Sequence, residues 1–140
     1  MTTRRTVRMH WLGAALFLAC ALGAVVANRN RWFPPALQTV AFPLEGKTYR
    51  LLVADTPWAW EIGLMYRRTL PEADGMVFLF PDLRYRSFYN KNTHLDLDVY
   101  WLAGGVVLGR VRLAPIERTG KIVIVDSPGP VDTVVEIVRR

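Results

Sequence analysis

The 140-residue chain has few of the side chains that catalysis and metal binding usually need. Cys20 is its only cysteine, which excludes an internal disulfide and a CxxC metal or redox site. There are two histidines, His10 and His94, and two serines, Ser87 and Ser127. Neither serine stands in the GxSxG context of a nucleophile. This small inventory favours a protein that is not an enzyme, and we expect no cofactor.

The chain also lacks excess basic charge outside its N-terminus. Its formal charge is +6 and its pI is about 10.0. Five arginines precede the first acidic residue, Glu45, whereas residues beyond 32 contain 13 Lys or Arg and 12 Asp or Glu. The high pI therefore reports a basic N-terminus, and we predict no nucleic-acid partner.

One long apolar run stands near the N-terminus. Residues 11–27 carry no charge, and Trp11 and Trp32 bracket this segment. A helix from one tryptophan to the other would measure about 32 Å, enough for a hydrocarbon core of roughly 30 Å. Arg29 and Arg31 would reach the outer headgroups, so these four residues are the predicted membrane interface. The alternative is a secretory signal cleaved after Ala27.

The distribution of charge around this run sets the predicted topology. We expect residues 1–10 in the cytoplasm, 11–32 as a single membrane anchor, 33–37 as a linker, and 38–140 as an extracytoplasmic β domain. The predicted location is the bacterial inner membrane, with the domain in the periplasm. The partners would be membrane lipid through residues 11–32 and a membrane protein.

Residues beyond 38 mostly alternate between apolar and polar, as half-buried strands do. Strands are predicted at 48–54, 76–80, 85–91, 95–102, 106–113, 122–125 and 131–138. Seven or eight short strands predict a mainly-β fold, a small sandwich or barrel-like domain. One short helix is expected: Thr56 caps it, Pro57 begins it, and Trp58, Ile62 and Met65 share a face. Pro81 is expected to end its strand.

Two polar groups are candidate ligand sites. His94, Asp96 and Asp98 alternate along a predicted strand, which makes them weak metal candidates, although a solvated sheet face explains them better. Lys91, Asn92, Thr93 and Asp98 form either a ligand pocket or a turn with an ion pair, and turn chemistry is the stronger explanation.

Aromatic residues offer a candidate interaction surface at Trp58, Trp60 and Tyr66. Trp58 and Trp60 are about 200° apart around a helix, so one of them should be exposed. Trp101 follows the apolar side of its strand and is predicted to lie in the core.

Several motifs resemble domain-of-unknown-function family 192. They are Gly63-Leu64-Met65-Tyr66-Arg67, Leu70-Pro71, Gly75-Met76-Val77-Phe78-Leu79-Phe80, Ser87-Phe88-Tyr89-Asn90-Lys91-Asn92-Thr93, Leu97-Asp98, Ser127-Pro128-Gly129-Pro130 and Val135-Glu136-Ile137. The similarity covers roughly residues 39–137. It implies a small mainly-β sandwich, often exported behind a signal or a membrane helix, and it implies no activity.

Three departures from the family pattern bear on function. The family usually has Trp-Met where this chain has Tyr89-Asn90, and proline where Asp96 stands; it also commonly carries a glycine-bearing tail after the position of Arg140. A ligand pocket built partly from that tail would be lost here. We therefore expect a non-catalytic accessory or scaffolding domain at the outer face of the membrane. The alternative is an exported module that binds a small ligand or glycan.

Overall fold

The computed structural model describes residues 36–140, which contain eight strands and two short helices. The strands are β1 (Thr39–Leu44), β2 (Lys47–Ala54), β3 (Gly75–Arg84), β4 (Ser87–Tyr89), β5 (Leu97–Ala103), β6 (Val106–Leu113), β7 (Ile124–Asp126) and β8 (Val131–Val138). The helices are α1 (Pro57–Ile62) and α2 (Ile116–Thr119). Residues Leu37–Arg140 form one compact unit.

Six strands form a mixed sheet in the order β1-β2-β3-β8-β5-β6. Strands β2 and β3 are parallel, and the other neighbours in this sheet are antiparallel. A parallel pair needs a crossover connection, and residues 55–74, which include α1, supply it. The last strand, β8, is inserted between β3 and β5, so neighbouring strands cover both of its edges.

The sheet buries side chains on both faces. The larger core cluster lies on the face that carries Met76, Phe78, Val99 and Trp101, and it also contains Ala59 of α1. The two-stranded ribbon β4–β7 contributes Phe88, whose ring meets Phe78 and Trp101 edge-on at centroid distances of 4.8 and 5.6 Å. The smaller cluster, on the opposite face, contains Leu51, Val77, Tyr100, Leu102, Val135 and Ile137. Trp101 therefore lies in the core, as predicted.

The mainly-β class is confirmed, but the arrangement differs from an even sandwich or barrel. A sheet of six strands packs against a ribbon of two, and α2 is a second helix that the sequence did not indicate. Strand β1 was also not predicted. It lies at the sheet edge, where Pro43 is tolerated because one side of an edge strand needs no ladder hydrogen bonds.

Pro81 does not end its strand, contrary to the prediction. Strand β3 continues to Arg84, but its regular pairing with β8 shifts between Leu79 and Arg84. Its pairing with β2 stops at Phe78. The proline therefore falls in a stretch where no ladder bond from its nitrogen is required.

Helix α1 begins as predicted and buries a different face. The Thr56 hydroxyl accepts a hydrogen bond from the Ala59 amide at 3.3 Å, and Pro57 opens the helix. Gly63 follows its end with φ of 49°. Trp58 faces outward and Ala59 is buried, so the expected stripe of Trp58, Ile62 and Met65 is wrong. Six residues are too few for a face defined over two turns.

The predicted anchor, with Trp11, Arg29, Arg31 and Trp32, lies outside the described residues. Within residues 36–140, no helix has the length and apolar character needed to cross a membrane.

Close contact between β3 and β8 leaves no room for a side chain at Gly75. A Cβ added there would lie 1.9 Å from the Glu136 carbonyl oxygen. We expect Gly75→Ala to lower the free energy of unfolding by about 3 kcal/mol, because backbone would have to move. Gly129→Ala is the matched control, since its Cβ would meet Leu108 at 3.6 Å. Urea denaturation measures both, and equal losses would contradict this account.

Candidate functional site

A narrow cleft of about 60 Å³ opens on the side of the sheet that carries the larger core. Its walls come from the α1 segment and from the β4 segment, and its floor comes from β8. The lining residues are Trp60, Glu61, Ile62, Gly63, Leu64, Met65, Phe78, Ser87, Phe88, Tyr89, Thr93 and Glu136. This volume holds a few water molecules or one small chemical group.

Glu136 is the unusual residue of the cleft. It pairs with Met76 of β3 and Val99 of β5, and alternation along β8 turns its side chain toward the larger core. Its side chain is 5% exposed, and burial raises its pKa from 4.5 to about 8. No neighbouring charge or hydrogen bond offsets that effect. The carboxyl group is therefore mostly protonated at neutral pH.

The Glu136 carboxyl is open to the cleft. Among the described side chains, no fully buried nitrogen or oxygen atom is left without a hydrogen-bond partner. Because Glu136 lines the cleft without such a partner, its oxygens face the cavity itself. The protonated group can donate one hydrogen bond to an occupant of the cleft and accept others.

The two walls are tied to each other at Tyr66 and Asn92. The Tyr66 amide donates to the Asn92 carbonyl at 2.8 Å, and the Asn92 side-chain amide donates to the Tyr66 hydroxyl at 2.9 Å. Both residues have positive φ, 64° and 53°. A non-glycine residue rarely adopts this conformation. The two hydrogen bonds between the walls therefore hold two strained turns in place.

Asn90 anchors the β4 wall to neighbouring segments through hydrogen bonds. It is fully buried, and its side-chain amide donates to the Ala114 carbonyl at 3.1 Å and the Thr119 hydroxyl at 2.8 Å. Its side-chain oxygen accepts from the Val123 amide at 2.8 Å. Asn90 thus joins the wall to the segment around α2, which is a structural function.

The predicted polar group of Lys91, Asn92, Thr93 and Asp98 is not one site. Thr93 is buried and lines the cleft, Asn92 ties its walls, and Lys91 is exposed. Asp98 alternates with the large-core residues of β5, so it lies on the opposite face of the sheet. There it accepts a hydrogen bond from Arg139 at 2.7 Å.

His94, Asp96 and Asp98 do not share the strand face that was predicted, because β5 begins only at Leu97. His94 pairs with Glu117. Asp96 accepts from Arg112 at 2.5 Å and from Arg118 at 3.0 Å, and the Arg112 hydrogen bond lowers its pKa. Within the described range, no three His, Cys, Asp or Glu side chains are placed to hold a metal ion.

Of the three aromatic candidates, one is half-buried and two are exposed. Trp60 packs against Phe80, and its indole nitrogen donates to the carbonyls of Ala54 at 3.0 Å and Leu79 at 3.1 Å. Trp58 is 45% exposed and Tyr66 is 67% exposed. The expectation that one of the two tryptophans is exposed is confirmed.

Sequence reasoning missed Glu136 as a site residue. The signal was present, since it is the one acid inside the apolar run Val134-Val135-Glu136-Ile137-Val138. An acid in such a run is buried when its side chain points to a covered face of the sheet and solvated when that face is open. Because the position of β8 in the sheet was not predicted, the sequence did not identify Glu136 as a buried acid.

The segments that carry the family resemblance converge on this cleft, because Gly63, Phe78, Phe88, Thr93 and Glu136 all line it. The family model of DUF192, described as an uncharacterized ACR, matches residues 40–140. The chain belongs to the DUF192 family. The resemblance drawn from the sequence is thereby confirmed.

Two solved structures resemble this DUF192 chain. A Sinorhizobium meliloti protein described as a candidate transcription regulator has 29% identity and a TM-score of 0.62, covering 76% of this chain and 84% of its own. A Novosphingobium aromaticivorans protein of unknown function has 22% identity and a TM-score of 0.55, covering 72% of this chain and 81% of its own. No curated protein significantly matches this chain.

Burial of Glu136 makes stability depend on pH. The folded pKa of about 8 lies above 4.5, so folded protein retains a proton that unfolded chain loses between these values. The contribution of this group is fully present below pH 4.5 and is lost as pH rises through about 8, by up to about 1.4 kcal/mol per pH unit. Glu136→Gln should remove that slope in urea titrations.

The matched control is Glu61→Gln, which removes one carboxylate at the exposed rim of the same cleft. It should keep the wild-type pH profile. Parallel profiles for wild type and Glu136→Gln between pH 5 and 8 would contradict the buried, unpaired state of Glu136.

Proposed function

We propose that this DUF192 domain is a non-catalytic binding module whose cleft receives a small polar group. The observation that carries the proposal is the Glu136 carboxyl, which is buried, lacks a protein partner and faces the cavity. A lone carboxyl in this position destabilises the fold at neutral pH. Such perturbed groups in a cleft cluster at functional sites, where a ligand supplies the missing hydrogen bonds.

The chemistry of the walls favours binding over catalysis. No histidine, cysteine or lysine is among the described lining residues. The Ser87 hydroxyl donates to Asp126 at 2.6 Å, and the Thr93 hydroxyl donates to the Lys91 carbonyl at 3.2 Å. Both lining hydroxyls of the Ser and Thr type are thus engaged, and the second carboxylic acid of the cleft, Glu61, lies at its exposed rim.

The cleft is formed entirely by residues 60–136, which supply both walls and the floor. This favours the ligand-binding alternative over pure scaffolding. The near balance of 13 basic and 12 acidic residues beyond position 32 gives no support for nucleic-acid binding, although one similar structure is described as a candidate regulator. The predicted placement outside the inner membrane, on a 11–32 anchor, remains part of the proposal.

Occupation of the cleft should raise the melting temperature. In a panel of small polar metabolites and short glycans, we expect at least one compound to stabilise the wild-type protein in thermal-shift assays. Glu136→Leu should abolish this shift and Thr93→Val should reduce it. Lys91→Ala is the control, because that exposed side chain does not line the cleft. A shift that survives Glu136→Leu but disappears in Lys91→Ala would contradict the proposal.

A scaffolding function is the second candidate, favoured by the exposed rings of Trp58 and Tyr66 beside the cleft. Exposed aromatic residues are typical anchors at protein interfaces. If a membrane protein docks here, Trp58→Ser should reduce its co-purification with the full chain in mild detergent about tenfold or more. Tyr85→Ser is the control, since Tyr85 is even more exposed than Trp58 and does not line the cleft. Equal recovery with both variants would count against docking at Trp58.

A further inference from the structure

We propose that the group recognised by this cleft is an organic ammonium, the head group of a small alkylamine. The inference rests on the proposed binding function and specifies the chemistry of its ligand. Three features of the cleft support it: the sign of its ionisable side chains, its aromatic walls, and the unpaired carboxyl on its floor.

The ionisable groups of the cleft have one sign. Glu136 on the floor and Glu61 at the rim are carboxylic acids, and Tyr89 is the other titratable group among the lining residues. No lysine, arginine or histidine of the described chain lines the cavity. An anionic ligand would therefore meet two acids and no counter-charge, whereas a cation would find a partner for Glu136.

The walls suit a cation that is partly apolar. Four of the residues that line this space of about 60 Å³ are aromatic: Trp60, Phe78, Phe88 and Tyr89. Aromatic faces attract ammonium groups and also accept the methylene carbons attached to them. The indole nitrogen of Trp60 already donates to two backbone carbonyls, so this side chain can meet an occupant only with its carbon atoms.

Binding of an ammonium replaces the proton on Glu136. The elements packed against this carboxyl bring few ionisable side chains to it. The α1 segment contributes Glu61, and β4 contributes Tyr89. Strands β3 and β5 present Phe78, Met76 and Val99, and Asp98 lies on the opposite face. An incoming cation stabilises the carboxylate, and the proton that Glu136 held passes to the buffer.

This exchange predicts a direction of pH dependence. An alkylammonium keeps its charge up to about pH 10, as a lysine side chain does. Its affinity should therefore rise about tenfold per pH unit as pH increases toward 8, and should level off above 8. A neutral ligand that hydrogen-bonds to the protonated acid would show the opposite trend.

The experiment is calorimetric titration of the full chain with butylamine, and with butanol and butyrate as neutral and anionic counterparts. We expect butylamine to bind, with affinity rising about 50-fold from pH 6 to pH 8 and about one proton released per ligand at pH 6. Glu136→Gln should weaken the binding of butylamine at least tenfold. Its folded state is checked by circular dichroism, and Glu61→Gln should weaken binding no more than about threefold.

The outcomes separate this inference from the function on which it rests. Binding of butanol but not butylamine would overturn the ammonium assignment and leave a binding module in place. If none of the three compounds binds, the ammonium assignment is also overturned. The metabolite panel tests the binding function independently. Nα-acetyl-lysine amide carries the same head group on a peptide; tighter binding of this probe than of butylamine would assign the source to a protein side chain.

Discussion

The pairing of β8 with both β3 and β5 is the interaction on which this domain depends. It joins a half made of β1, β2 and β3 to a half made of β5 and β6, which otherwise share no strand pairing. Because both edges of β8 are paired and both faces are covered, its residues 134–137 are all buried. The same constraint forces Glu136 into the apolar interior and creates the perturbed carboxyl of the cleft.

The cleft combines residues from three distant parts of the chain, and each is held by contacts outside it. Asn90 secures one wall to the segment around α2, and Tyr66 with Asn92 ties that wall to the other. Gly63 lets the chain turn where an added Cβ would meet the Phe78 ring at 3.2 Å. A pocket supported in this way is preformed, so an occupant would not have to order its walls.

Local patterns in the sequence located most elements, because side chains alternate along half-buried strands. The paired glycines after Ala103 and the Thr56-Pro57 cap marked their turn and helix correctly. The order of strands was not available locally, since β8 pairs with segments far away in the chain. His94, Asp96 and Asp98 were misplaced for the same reason: their partners, Glu117, Arg112 and Arg139, come from other elements. The site was missed for the same reason, because Glu136 is buried by segments that come from distant parts of the chain.

The central position of β8 also bears on folding, because β8 follows both of its sheet neighbours in the chain. Until residues 131–138 exist, β3 and β5 each present a row of free amide and carbonyl groups along one side. A chain synthesised only as far as β7 therefore has two unpaired strand edges, and both core clusters lack their β8 side chains. Unpaired strand edges favour association with other chains, and the six-stranded sheet is complete only when β8 pairs with both β3 and β5.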